Sequence, residues 1–234
     1  MLYAIINKEL ISANEFAARF GRAHLDGRVV ALCPSCQRKV DPYGLHSPHV
    51  TNRFDHPNGV KDCPLSSAND ERYRYLKPST RDAKQGRQLR KAFLRDGSLR
   101  PAYAFAFKVC GRGNLPAAKY GELIIIADGL GIWEYANLPK WTVPFILLTL
   151  ADFKAKNHDF SFQVLKPRAA LAEDLWLSPE ECQLEKIFSD GKPMKKAGKL
   201  NNPIPIIEEI YREAASDCEW VSDKVLRAIR RKCS

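Results

Sequence analysis

The sequence lacks any apolar run long enough to cross a membrane. Its longest apolar stretch extends from Val143 to Ala151, whereas a membrane helix needs about 20 such residues. The apolar start of the chain is interrupted by Lys8 and Glu9, so it does not match a secretory signal peptide. We therefore expect a soluble, cytoplasmic protein with no membrane partner.

The common catalytic fingerprints are also missing. The chain has no G-x-S-x-G elbow, no P-loop, no dinucleotide-binding glycine motif and no H-E-x-x-H pair. Their absence argues against the hydrolases, nucleotide-hydrolysing enzymes and dehydrogenases that depend on these motifs. The sequence therefore favours a binding protein over an enzyme, without a catalytic residue that we can name.

A disulfide framework is not expected either. The seven cysteines are an odd number, and clustered cysteines in a cytosolic chain favour metal binding over crosslinks. Four cysteines are scattered, and we expect these to be small buried apolar residues or an exposed thiol near the end of the chain. The scattered residues are Cys110, Cys182, Cys218 and Cys233.

The remaining cysteines have the spacing of a structural zinc site. Cys33-Pro34-Ser35-Cys36 is a C-x2-C motif, in which two thiolates can bind one tetrahedral zinc ion from a tight turn whose backbone amides point at the sulfurs. His56 and Cys63 supply a second pair after a loop of nineteen residues, Gln37 to Asp55. Four protein ligands leave no open coordination position, so we expect Zn2+ in a structural role.

The fourth ligand has alternatives. His46 and His49 lie in the loop between the two pairs, and either could replace His56. We prefer His56 because the preceding aromatic residue, Phe54, could anchor it. Asp55 or Asp62 could then orient the imidazole through a hydrogen bond.

These motifs resemble the zinc-finger region of competence CoiA-like proteins. The matching residues are Cys33-Pro34-Ser35-Cys36, Phe54-Asp55-His56 and Asp62-Cys63-Pro64, and the resemblance covers roughly residues 1–70. It implies a link to DNA uptake and processing, with a nuclease-like domain after the finger. The chain departs from that pattern, because neither Glu122 nor Glu134 is followed two residues later by Lys or Gln. A divergent metal-dependent nuclease that uses Glu122, Asp128 and Glu134 remains one alternative.

Positive charge is concentrated in one segment. The whole chain has a net charge of +10, and residues 72–100 hold ten Lys or Arg against two Asp, a local net charge of 10 − 2 = +8. Such a segment is typical of phosphate contacts, and equally of the solvated face of a surface helix. The candidate nucleic-acid-binding residues are Arg81, Lys84, Arg87, Arg90, Lys91 and Arg95.

Hydrophobic patterning predicts an α+β fold in two parts. We expect a zinc-ribbon-like module at residues 1–70, then an α+β domain at 71–234 in which a basic helical segment, 72–100, precedes an antiparallel sheet flanked by helices. Expected strands are 2–6, 122–127, 132–135 and 160–164, with 122–135 forming a hairpin around Gly129-Leu130-Gly131. Residues 145–150 could be a strand or a buried helix.

Helix boundaries follow from capping residues. Ser12 or Asn14 can begin a helix over residues 15–20, and Thr80 can begin the basic helix, which would end near Gly97. Ser178-Pro179-Glu180-Glu181 has the composition of a helix start. Two further helices are expected at 206–215 and 220–230.

The sequence thus supports three functions. The first is a zinc-binding protein that contacts nucleic acid or a nucleic-acid-processing complex. The second is an inhibitor or adaptor that binds an acidic protein surface without touching nucleic acid. The third is the CoiA-like nuclease with a divergent centre. The sequence determines neither the oligomeric state nor the choice between DNA and RNA.

Overall fold

The chain forms two compact units, which we describe separately in a computed structural model. The structure describes residues 1–21, 29–45, 47, 49–57, 60, 63, 65–67, 80–156, 158–165, 179–188, 195–196, 199–200 and 203–233. The first unit comprises Met1–Lys77 and Ile125–Ile132, and the second comprises Pro78–Ile124 and Trp133–Ser234. The predicted boundary at residue 70 lies outside the described residues and stays a prediction.

The first unit is built on an antiparallel five-stranded sheet in the order β2-β1-β3-β4-β5. Asn7 and Lys8 both have positive φ, 51° and 70°, as a two-residue hairpin turn between β1 and β2 requires. Its elements are β1 (Tyr3–Ile6), β2 (Glu9–Ser12), α1 (Ala13–Phe20), β3 (Ala31–Leu32), β4 (Lys39–Tyr43) and β5 (Arg53–Asp55).

The sheet of the first unit curls so that its last strand returns to the start of the chain. The amino group of Met1 donates to the carbonyl of Phe54 at 2.9 Å, and the Phe54 amide donates back to the Met1 carbonyl at 2.8 Å. Helix α1 is capped by Ser12, as predicted, and its Phe16 ring packs edge-on against Phe54 with centroids 5.4 Å apart. Both rings are fully buried, so they form the core under this sheet.

The second unit is mainly helical, with one four-stranded sheet in the order β11-β8-β7-β6. Helix α3 runs through its core, and Phe105 of α3 packs against Phe145 with ring centroids 4.5 Å apart. The helices of the remaining chain are α2 (Ala83–Phe93), α3 (Asp96–Cys110), α4 (Ala117–Leu130), α5 (Val143–Leu148), α6 (Glu208–Ser216) and α7 (Asp223–Cys233). The strands are β6 (Phe153–Lys154), β7 (Asp159–Leu165), β8 (Gln183–Phe188), β9 (Lys195–Lys196), β10 (Lys199–Leu200) and β11 (Ile204–Pro205).

The α+β class is confirmed, whereas a zinc-ribbon-like architecture stays a prediction. Three other expectations are also met, because β7 covers the strand predicted at 160–164 and helices α6 and α7 cover the two predicted near the end of the chain. Residues 145–150, left open between strand and helix, mostly belong to α5. Within the described residues, no helix combines the length and apolarity needed to cross a membrane.

The predicted hairpin at 122–135 is wrong. Residues 122–127 lie in the middle of α4, and residues 132–134 form a short 3-10 helix. Most residues from Tyr120 to Gly129 are buried, so the helix shows no polar face from which its 3.6-residue period could be recognised. Gly131, expected in the hairpin loop, has a φ of +68° and directly follows the last residue of the helix.

Three expectations about helices also differ from the structure. Asp82, not Thr80, caps α2 by accepting from the Gln85 amide at 2.8 Å, because Arg81 is still extended and pairs with Tyr135. Gly97 lies in the first turn of α3 and does not end a helix. The helix expected from Pro179 is a single 3-10 turn followed by β8, which pairs with β7. Ser178 lies outside the described residues.

Gly121 tests the close packing of α4 against α7. A Cβ atom at Gly121 would lie 2.7 Å from Cβ of Lys232 and 2.8 Å from the carbonyl oxygen of Ile229. We expect Gly121→Ala to lower the free energy of unfolding by up to about 2 kcal/mol, since overpacking costs about 1–3 kcal/mol and the gain in helix propensity is about 1 kcal/mol. Urea denaturation measures this change.

Gly97→Ala is the matched control for Gly121→Ala. Gly97 is also helical, but nothing lies within 4 Å of the added Cβ, so we expect unchanged or slightly higher stability. Equal effects of the two substitutions would contradict the packing of α4 on α7.

Candidate metal centre

The first two cysteines lie at the two ends of one hairpin turn. Cys33 directly follows β3, and Cys36 comes three residues before β4. The Cys33 amide donates to the Arg38 carbonyl at 2.8 Å and the Gln37 amide donates to the Cys33 carbonyl at 2.9 Å. Gln37 has a φ of +60°, which reverses the chain tightly enough to place both thiols on one side of the turn.

Backbone amides point at the sulfur atoms, as the C-x2-C motif predicts. The Cys33 sulfur accepts from the amides of Ser35 and Cys36, and the Cys36 sulfur accepts from the amide of Arg38. Each of these hydrogen bonds lowers the pKa of its thiol, because an N–H donor stabilises the thiolate. These amides oppose two stronger effects, because the hydrogen bond with Cys63 raises the pKa of Cys33 and burial raises the pKa of Cys36.

The second pair of donors comes from two further segments. His56 directly follows β5, where the buried Phe54 anchors the strand. Cys63 begins a turn in which the Ser66 amide donates to its carbonyl at 3.0 Å, and its sulfur accepts from the amide of Leu65. Leu65 is buried and packs against Gly129, where an added Cβ would collide with the leucine methyl groups. This packing fixes Cys63 at the site.

The four donor atoms converge on one point. The sulfurs of Cys33 and Cys63 are 3.6 Å apart, Cys36 Sγ lies 3.3 Å from Nε2 of His56, and all four atoms lie within 4.8 Å of one another. Zinc bonds of about 2.3 Å to sulfur and about 2.0 Å to nitrogen give tetrahedral edges of roughly 3.5–3.8 Å. The group could therefore hold a metal ion, and its donors are consistent with zinc.

The pKa values of the two buried thiols indicate why a cation would be favourable at this site. Cys33 and Cys63 are fully buried, and the hydrogen bond between them raises the pKa of Cys33 and lowers the pKa of Cys63. The hydrogen bond thus favours the thiol form of Cys33 and the thiolate form of Cys63. A divalent cation would allow both to ionise, since buried thiolates are costly unless a positive charge lies beside them.

The structure favours His56 as the fourth donor. His49 is exposed and does not belong to the group, whereas His56 is buried. His46 lies outside the described residues. Asp55 does not orient the imidazole, because its carboxylate accepts from Arg53 Nε at 2.9 Å, and Nδ1 of His56 has no hydrogen-bond partner in the described part of the chain. Asp62 also lies outside the described residues.

The carboxylates considered for a nuclease do not form a second metal site. Glu122 lies on α4 with Lys119 and Lys232, at 3.6 and 3.4 Å, and Glu134 pairs with Arg81 at 3.2 Å. Asp128 is buried in the second half of α4. Among the described residues, the single group of three or more Cys, His, Asp or Glu that could hold a metal is the Cys3His set. A restriction-type centre on neighbouring strands therefore has no counterpart at these residues.

The six predicted nucleic-acid-binding residues fall into two classes. Lys84, Arg87, Lys91 and Arg95 are exposed on α2 and just after it, whereas the other two are engaged within the second unit. Arg81 pairs with Glu134, and Arg90 donates to the Cys233 carbonyl at 2.9 Å. Residues 72–79 of the basic segment lie outside the described residues.

Arg230 joins this basic group although the sequence analysis did not assign it. Its Nε donates to the Leu94 carbonyl at 3.0 Å, and its guanidinium pairs with Asp96. The sequence separates it from Leu94 by more than half of the chain. Arg230 lies four residues after the buried Leu226, at the edge of the apolar face of α7, but no pattern in the sequence indicates its partner.

Cys33→Ser tests whether the site binds metal and stabilises the first unit. We expect bound zinc to fall from about one ion per chain to near zero, measured by elemental analysis. Structural zinc contributes on the order of 10 kcal/mol to the folding of zinc-finger peptides, so the loss of stability should exceed the roughly 1 kcal/mol of an average substitution. Cys218→Ser, outside the group, is the control. Equal zinc content and thermal stability in the two variants would refute the assignment.

His56→Ala and His49→Ala distinguish the two histidines. We expect His56→Ala to weaken zinc binding by at least about tenfold in competition with a chromophoric chelator, because one of four inner ligands is lost. His49→Ala should bind zinc as the unchanged protein does. Weaker zinc binding in His49→Ala, with unchanged binding in His56→Ala, would assign the fourth ligand to His49.

Comparison with protein-family models, with curated proteins and with solved structures finds no match for this chain. The CoiA-like resemblance of residues 1–70 therefore stays a prediction, and the candidate function rests on the two sites described above.

Proposed function

We propose that the protein is a zinc-binding, nucleic-acid-contacting protein in which zinc is structural. The ion would join three chain segments of the first unit, while a separate basic surface would contact phosphates. Four protein donors fill a tetrahedral coordination sphere and leave no position for substrate or water. A structural zinc also suits a segment such as residues 32–66, which has few apolar residues with which to form a core of its own.

One observation carries the nucleic-acid part of the proposal. Helix α2 and the two residues after it contain no Asp or Glu, and four cations of this segment are exposed without an ion-pair partner in the described part of the chain. Surface cations commonly alternate with acidic residues, which neutralise them. Because this segment carries positive charges and no negative ones, it creates a local positive potential that attracts a polyanion. The four residues are Lys84, Arg87, Lys91 and Arg95, which we call the α2 cation surface.

The spacing of these cations supports contact with a regular array of phosphates. Lys84, Arg87 and Lys91 are separated by three and four residues, so they lie along one face of α2. Arg81 and Arg90 have intramolecular partners and contribute less. Of the six phosphate contacts that the sequence predicts, the four exposed cations of the α2 cation surface therefore give the proposal its main support.

Salt dependence of binding tests the proposal. Four phosphate contacts give a slope of about −3 to −4 in a plot of log K against log salt concentration. We expect affinity for a mixed-sequence duplex to fall about a hundredfold between 50 and 200 mM salt. Lys84→Gln together with Lys91→Gln should reduce the slope by about two.

Lys154→Gln together with Lys156→Gln is the charge-matched control for this measurement. Both lysines are exposed and lie outside α2, so their loss should leave the slope nearly unchanged. Affinity that does not depend on salt, or an equal effect of both double variants, would contradict a nucleic-acid interface on α2.

Protein binding is a second candidate function, favoured by an exposed tryptophan. Trp220 is 46% exposed and packs on Phe107 with ring centroids 4.8 Å apart, beside a groove of about 690 Å3 that Lys108 and Arg112 also line. Tryptophan is a frequent anchor at protein interfaces. Recovery from cells of one specific acidic protein without nucleic acid, lost in Trp220→Ala, would favour this candidate.

A further inference from the structure

A small cavity in the second unit is lined mainly by lysine and arginine side chains, whose apolar stems, with Leu94, form most of its surface. It has a volume of about 430 Å3 and is open to solvent. Five of its six lining residues are Lys or Arg, and the sixth is an apolar residue, Leu94. Helix α2 and the turn after it supply most of the lining, and α7 supplies one residue. We call it the α2–α7 cavity, and its lining residues are Arg87, Arg90, Lys91, Leu94, Arg95 and Arg230.

Two reciprocal hydrogen bonds hold the walls of the cavity in place. Arg90 of α2 reaches the carbonyl of Cys233 on α7, and Arg230 of α7 reaches the carbonyl of Leu94 after α2. Each helix thus supplies one arginine whose guanidinium is bound by a main-chain carbonyl on the opposite wall of the cavity. These contacts keep the two arginine side chains ordered, so less conformational entropy is lost when a ligand binds.

Three of the five cations of the cavity have no acid beside them among the described residues. Arg230 pairs with Asp96. Arg87, Lys91 and Arg95 have no ion-pair partner in the described part of the chain. Cations brought together in this way repel one another, and a ligand with negative charge relieves that repulsion.

The guanidinium and ammonium groups of the cavity indicate which class of ligand it can bind. Guanidinium groups form paired hydrogen bonds with the oxygens of phosphates and carboxylates, and an ammonium group contributes a compact positive charge. A cavity with five cations disfavours positively charged ligands. Its volume lies near the lower end of the range of about 300–1,000 Å3 for small-ligand sites, which is ample for one or two phosphate groups.

We propose that the α2–α7 cavity is a discrete phosphate-binding site, with Arg87, Lys91 and Arg95 as the contacting residues and Arg90 and Arg230 as the ordered frame. The phosphate would belong to a nucleic acid strand, and this part of the inference rests on the proposed function. It differs from the α2 cation surface in including Arg230 and in excluding Lys84, which does not line the cavity.

Pyrophosphate is the probe for this site. Isothermal titration of the full chain, at constant ionic strength maintained with chloride, should show saturable binding. Lys91→Gln and Arg95→Gln should each weaken that binding by about tenfold, the loss expected for one charge-assisted hydrogen bond. Both side chains are exposed, and circular dichroism confirms that the variants fold.

Lys84→Gln is the matched control, because it removes the same charge from the same helix outside the cavity. It should leave the affinity for pyrophosphate unchanged while weakening binding to nucleic acid. If Lys84→Gln weakens pyrophosphate binding as much as Lys91→Gln, or if pyrophosphate does not bind at all, the site is overturned and α2 is a diffuse positive surface.

The same variants separate this inference from the proposed function. Pyrophosphate binding that depends on Lys91 and Arg95, with no binding of any nucleic acid, would retain the cavity and reject the proposed function. Nucleic-acid binding without pyrophosphate binding would retain the proposed function and reject the cavity as a phosphate-binding site.

Oligonucleotides with and without a 5′-phosphate identify the source of the phosphate. A higher affinity with the 5′-phosphate assigns the site to strand ends, and equal affinities assign it to internal phosphodiesters.

Discussion

The convergence of Cys33, Cys36, His56 and Cys63 is the constraint on which the first unit depends. The donors come from the β3–β4 turn, the end of β5 and the turn that begins at Cys63, so a single ion would tie three separate segments together. The hydrogen bond between two fully buried sulfurs raises the pKa of Cys33 and lowers the pKa of Cys63. A bound cation would allow both thiols to ionise and would stabilise a segment that lacks an extensive apolar core.

The rest of the first unit is arranged to present these donors. Met1 and Phe54 exchange backbone hydrogen bonds and bring β5 back to the start of the chain, which places His56 beside the cysteine turn. Leu65 packs on Gly129 and holds the segment of Cys63 in place. Apolar packing and backbone hydrogen bonds therefore help to hold the segments that carry the four donors close together.

The second unit uses its charges in a different way. Arg81, Arg90 and Arg230 are held by Glu134, by Asp96 or by main-chain carbonyls, and they join elements that are distant in the sequence. The remaining cations of α2 face solvent. The second unit thus separates arginines that stabilise packing from those that can meet a ligand, a division that composition and net charge do not show.

The sequence by itself determined the three cysteines of the candidate metal group, the α+β class and the basic character of α2, because short-range spacing, cap residues and local charge are properties of neighbouring residues. It left the histidine of that group open between His46, His49 and His56. It did not determine that residues 122–127 are helical, since a run buried on nearly every side has no periodic contrast between apolar and polar positions. Nor could it place Arg230 beside Leu94 or distinguish the engaged cations from the exposed ones. Those contacts join residues far apart in the chain, so only the tertiary structure decided them.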